Sequence, residues 1–133
     1  MDFEIEIPGK PIGKQRAKFG KGFTYTPKET VEYENYVKLI FQRKYGQPNL
    51  TGQIKANIKV YFDIPKSISK VKKTEMLLNS VRPTKKPDCD NIAKVILDSL
   101  NGIAYKDDKQ VVLLTVEKFY SDTPKVCLTL QEG

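Results

Sequence analysis

The chain has 133 residues, 39% of them apolar and 29% charged, with a net charge of +7 and no histidine. That length predicts one domain, residues 1–133, able to bury a core without disulfides or a structural metal. Without histidine there is no Ser-His-Asp or Cys-His catalysis, no His-ligated zinc and no imidazole general base, so any acid–base or metal chemistry falls to carboxylates, lysine, tyrosine or water.

Residues 3–7, "FEIEI", alternate apolar and charged and predict a half-buried strand. The stretch "PGKPIGKQRAKFGKGF" that follows reads as a loop, broken by its glycines and prolines. "TPKE" predicts a helix start, with Thr26 as cap, Pro27 in the first turn and Glu29 completing a capping box. The helix should turn Tyr33, Tyr36, Val37, Ile40 and Phe41 inward and end at Gly46 and Pro48. Residues 53–63, "QIKANIKVYFD", alternate strictly and predict a long strand with one wet face. A short helix near 69–79 and a basic loop at 80–87 come next. A helix over 90–101 should bury Ile92, Val95, Ile96, Ser99 and Leu100. Residues 109–120 and 125–131 predict two strands, joined as a hairpin around "SDTP". The order implies an α+β, two-layer domain: a mixed sheet of about four strands with helices on one face.

No run of about 18 apolar residues occurs, and "MDFEIEIPGK" lacks the basic-then-apolar pattern of a secretory signal. Cys89 and Cys127, far apart in sequence, read as reduced thiols. A cytoplasmic protein with no membrane partner is the expectation. The positive charge is segregated: Lys10, Lys14, Arg16, Lys18 and Lys21 lie in 8–22 with no acid, and 66–87 holds seven bases against Glu75. Such segregation suits a polyanion partner, although solvated loops that aid solubility have the same composition.

Against that background, five aspartates fall in "KPDCDNIAKVILDSLNGIAYKDD": Asp88, Asp90, Asp98, Asp107 and Asp108. Each has a structural reading: Asp90 as a helix cap, Asp98 on a solvated face beside Lys94, and Asp107-Asp108 at a turn tip. Together they make acid pairs that bracket one helix. If the following strand ran back beside the helix mouth, three or four carboxylates would converge and repel unless a cation sat among them. Oxygen ligands without histidine or thiolate select Mg²⁺ or Mn²⁺. Such an ion would be held against phosphate, with Lys94 placed to stabilise developing negative charge.

"KPDCDNIAKVILDSLNGIAYKDDKQV" resembles the signature of the RusA-type Holliday-junction resolvases, and "IPGKPIGKQRAK" and "YTPKETVEYE" resemble that family's opening. The resemblance implies a homodimeric, Mg²⁺-dependent endonuclease that cuts four-way junction DNA symmetrically, in recombination and repair. It implies Asp88, Asp90 and Asp108 as metal-binding catalytic carboxylates, with Asp107 a further metal candidate. It makes Lys94 the catalytic lysine and Asn91 a supporting residue. Lys10, Lys14, Arg16, Lys85 and Lys86 are the expected DNA contacts, and Cys89 fills a variable position. The alternatives are a branched-DNA binder that does not cut, and a nuclease acting on flaps or forks.

Overall fold

The computed structural model describes residues 2–133. Its main sheet has four strands in the order β1 (Asp2–Pro8), β6 (Lys125–Glu132), β4 (Ile54–Asp63), β5 (Val111–Ser121). β6 is antiparallel to both neighbours, and β4 and β5 are parallel. The sheet is mixed, as the order of elements implies. Phe3, Ile5 and Ile7, Ile54 to Phe62 at every second position, and Val126, Leu128 and Leu130 form its buried face. Helices α1 (Lys28–Tyr45) and α3 (Cys89–Ser99) pack on each other, α1 also against β1 and α3 against β5.

The expected β5–β6 hairpin does not form: β4 lies between these strands, and residues 122–124 step over its end. Closeness in sequence favoured the hairpin, but burial favours the observed order. Val126, Leu128 and Leu130 are almost wholly buried, which a central position provides. β5 takes the edge, with Val112, Leu113 and Leu114 exposed. A parallel β4–β5 pair also needs a long crossover, and residues 64–110, carrying α2 (Lys70–Leu77) and α3, supply it.

The start of α1 differs from expectation as well. Pro27 occupies the cap position and no side chain caps the helix. Glu29 and Thr30 meet Gln15 of the opening loop instead: Thr30 Oγ1 donates to Gln15 Oε1 at 3.1 Å, and Gln15 Nε2 lies 3.5 Å from Glu29 Oε2. Tyr36, expected inside, is exposed, and Thr30 is buried in the first turn. Gly46 ends α1 at φ 69°, a left-handed conformation that suits glycine.

Part of the predicted opening loop is ordered. Lys18–Gly20 (β2) and Phe23–Tyr25 (β3) pair as a hairpin closed by Lys21 and Gly22, the latter at φ 76°. A two-residue X-Gly turn between aromatic runs is the sequence signal that predicts it. α2 falls where the sequence placed it, with the Ser69 hydroxyl accepting from the Lys72 amide at 3.2 Å.

Candidate active site

α3 is apolar on most of its circumference. Ile92, Ala93, Val95, Ile96, Leu97 and Ser99 are buried, and Leu100 follows them inside. Each large aliphatic contributes about 1.5–3 kcal/mol on burial, so the core anchors the helix and one narrow stripe is left to solvent. Asp90, Asn91, Lys94 and Asp98 occupy it at helical spacing, with Asp88 at the N-cap. The helix cap expected at Asp90 falls instead on Asp88, whose side chain makes no cap hydrogen bond, and Asp90 lies in the first turn, so neither aspartate caps the helix through its side chain.

The stripe continues beyond the helix. Tyr105 is fully buried, and its hydroxyl donates to the Leu97 carbonyl at 2.6 Å, tying residues 101–108 to the end of α3. Gly102, at φ 74°, makes the turn, its amide bonding the Tyr105 carbonyl at 2.8 Å. The Asp108 amide donates to Asn101 Oδ1 at 2.8 Å. The result sets the Asp108 carboxyl beside that of Asp98. The shared hydrogen bond with Asp98, partial burial and the nearby Asp107 push Asp108 up to about 6.

The two halves of the "DD" pair have different environments. Asp107 Oδ1 accepts from the Lys109 amide at 2.9 Å, while the Asp107 amide donates to Gln110 Oε1 at 2.9 Å. Asp107 thus caps the short 3-10 turn Asp108–Gln110, and the Lys109 amide holds its carboxyl below the usual range. Gln110 in turn donates to the carbonyls of Leu50 and Gly52 at 2.9 and 3.0 Å, fixing the turn to the entry of β4.

Asp108 stands at the C-terminal end of α3, not at its mouth. Asp90 and Asp98 are two turns apart, about 12 Å along the helix axis. The carboxyls that act on Asp108 are those of Asp98 and Asp107, and neither Asp88 nor Asp90 is among them. Among the described residues no three acidic or thiol side chains form a ready metal cage. The donor chemistry nevertheless fits a hard cation: every candidate ligand is an oxygen, and Asp98 and Asp108 place two carboxyls in contact.

The opening loop lies along the same stripe. The Lys14 amide donates to the Asn91 carbonyl at 2.9 Å, and a Cβ on Gly13 would stand 2.8 Å from Pro87 Cβ and 3.0 Å from Asn91 Cβ. Only glycine permits that approach. Lys14 Nζ then reaches Glu34 of α1 at 2.9 Å and Asp98 at 3.5 Å. Burial works against this charge, but Glu34 and Asp98 more than offset it and hold the Lys14 pKa above its ordinary value. Lys14, expected among the DNA contacts, is therefore partnered by two carboxylates. Lys94, mostly exposed, lies 3.7 Å from the same Asp98 oxygen. Neither Asp98 nor Glu34 is among the expected site residues. Asp98 carries sequence signals, its place in the aspartate-rich signature and its i+4 spacing from Lys94, but reads as part of a solvated face; Glu34 stands only at the end of the family-like opening segment.

Lys10, Lys86, Asp88 and Asn91 line one cleft of about 410 Å³ between the opening loop and the mouth of α3. Lys10, Lys85 and Lys86 border a second of about 290 Å³ that shares the Lys10–Pro11 wall. Lys118 Nζ donates to the Lys85 carbonyl at 2.6 Å and sits over the Phe62 ring, holding this basic segment against the sheet. Lys86, distant in sequence from Lys10, thus shares its cleft with Asp88, and Lys85 borders the adjoining one. Arg16 is exposed later in the same loop.

No helix among the described residues is long and apolar enough to cross a membrane. The chain is 40% identical over 135 residues to an uncharacterised protein, YqaN, of Bacillus subtilis (strain 168), covering 97% of this chain and 95% of that protein. Residues 8–131 match the endodeoxyribonuclease RusA family, a span that includes the cleft, the α3 stripe and the Asp98–Asp108 pair, and the chain belongs to that family.

Proposed function

We propose that this protein is a Mg²⁺-dependent, homodimeric endonuclease that cuts four-way DNA junctions. The observation that carries the reading is the single polar stripe from Asp88 through Asp90, Asn91, Lys94 and Asp98 to Asp108, opening at one end on a lysine-lined cleft. A cleft of lysines suits a phosphodiester backbone, and adjacent carboxylates suit a cation bound against it.

Asp98 with Asp108, and Asp88 with Asp90, are the pairs that would hold divalent ions. Two carboxylates are a common protein share for Mg²⁺, which keeps water and phosphate oxygens as its remaining ligands. When bound, the ion supplies charge neutralisation at the phosphoryl group and an acidified water. Lys94 stands mid-stripe to donate to the oxygen on which charge develops. Lys14 and Glu34 orient Asp98. Lys10, Lys85 and Lys86 hold the strand, and Asp107 shapes the turn that presents Asp108.

The exposed β5 edge, with Val112, Leu113 and Leu114, is the surface on which a second copy would pair. A two-fold dimer offers two equal sites to a junction with two equivalent strands.

The test is cleavage of a synthetic four-way junction, with matched duplex and flap controls, in magnesium and in EDTA. Paired symmetric nicks on the junction alone, and only with magnesium, are expected. Tight junction binding without cutting under any divalent ion would replace this reading with a branched-DNA binding protein.

A further inference from the structure

The β2–β3 hairpin carries three aromatic rings that the core does not use. Phe19 is 80% exposed, Phe23 59% and Tyr25 44%. Phe19 pairs with Thr24, whereas Phe23 and Tyr25 lie on the other face, their rings 6.0 Å apart and both against Gly20. Both faces of a three-residue ribbon therefore present aromatic surface to solvent. Exposed aromatics at this density need a partner.

The surrounding charge indicates which kind. Arg16, Lys18 and Lys21 flank the rings, all exposed, and residues 8–22 contain no acid. The hairpin also continues directly from the loop whose Lys10 and Lys14 line the cleft at Asp88. Bases and aromatic rings stack without regard to sequence, and adjacent cations hold the backbone.

We infer that the β2–β3 hairpin stacks Phe19 and Phe23 on base faces exposed at the branch point of a DNA junction, and so distinguishes junctions from continuous duplex. The inference rests on the junction-nuclease reading. Intact duplex offers base faces only at its ends, whereas a four-way junction whose arms are held unstacked offers one at every arm. The rings would thus add to junction affinity and leave duplex affinity unchanged, whereas Lys18 and Lys21 would serve both.

The chain contains no tryptophan, so Phe19→Trp introduces a single indole reporter. Its emission is expected to be quenched on adding a four-way junction and to change little with matched duplex. Phe19→Ala/Phe23→Ala is expected to weaken junction binding about tenfold or more, with duplex binding within twofold of wild type. It should also abolish the fluorescence rise of a 2-aminopurine placed at the branch point. Phe19→Trp should retain junction affinity.

Equal losses on junction and duplex would overturn the inference, as would wild-type binding and an unchanged 2-aminopurine signal. A change in oligomeric state on alanine substitution would overturn it too, by assigning the rings to contact with a second copy. If wild-type protein cuts junctions and the double variant binds them normally, this inference alone fails. If wild-type protein neither binds nor cuts junctions, the nuclease reading fails and takes the inference with it.

Discussion

Lys14 of the opening loop stands 3.5 Å from Asp98 of α3, and the same Nζ lies 2.9 Å from Glu34 of α1. One cation therefore joins three segments at the acidic end of the stripe. Replacing Lys14 with methionine keeps much of its volume but leaves two carboxylates facing each other. Cleavage is expected to fall at least tenfold, with little change in the salt slope of junction binding. Arg16→Ala should do the reverse, weakening binding and reducing the slope by about one phosphate contact. Matching salt titrations of the two variants decide the matter; equal slope changes would make Lys14 a phosphate contact.

Asp98 and Asp108 repel as well as cooperate. With its pKa raised from 3.8 to about 6, folded Asp108 keeps a proton that the unfolded chain has already released. Folding stability should decline as pH rises through that window. Asp108→Asn removes the conflict. It is expected to abolish cleavage yet raise stability at pH 7 by about 1 kcal/mol, a figure reduced for solvent screening. Urea unfolding at pH 4 and pH 7 without divalent ions checks this, and an unaltered pH slope in the variant would contradict it.

Asp107 and Asp108 should separate cleanly. Asparagine can cap a turn as aspartate does, so Asp107→Asn is expected to keep at least a third of wild-type cleavage. Under the same conditions Asp108→Asn should show none. Equal loss in both would return Asp107 to the metal-binding set.

Gly13→Ala forces a methyl group against Pro87 and Asn91, both fixed by the chain around them. A destabilisation of about 1–3 kcal/mol is expected, as for other overpacked sites. Junction binding should weaken at the same time, because the loop lining the cleft must move. Thermal melts and binding isotherms measured on the same preparation test the pair of effects.

Leu113→Lys places a charge on the exposed edge of β5, where it should block strand pairing between copies. Sedimentation is expected to show a monomer that still binds DNA but no longer makes paired nicks. A variant that remains dimeric would move the interface elsewhere.

Local pattern made most of the elements legible. Strict alternation gave β4, and the 3.6-residue period gave α3 with Ile92, Val95, Ile96, Ser99 and Leu100 inside, because both signals lie within one element. The motif gave the family for the same reason: its chemistry-bearing residues are crowded into 86–112. The sequence alone could also say that histidine takes no part and that the bases are segregated.

Tertiary structure decided what those residues meet. Sequence proximity suggested a β5–β6 hairpin, but β6 lies in the centre of the sheet because its three aliphatics gain most burial there. Motif spacing grouped Asp88, Asp90 and Asp108, whereas the Tyr105 anchor and the Gly102 turn deliver Asp108 to Asp98, two helical turns away. The pairing of Lys14 with Glu34 and Asp98 depends on α1, α3 and the opening loop being packed together, and contacts between distant segments leave no periodic trace in the chain.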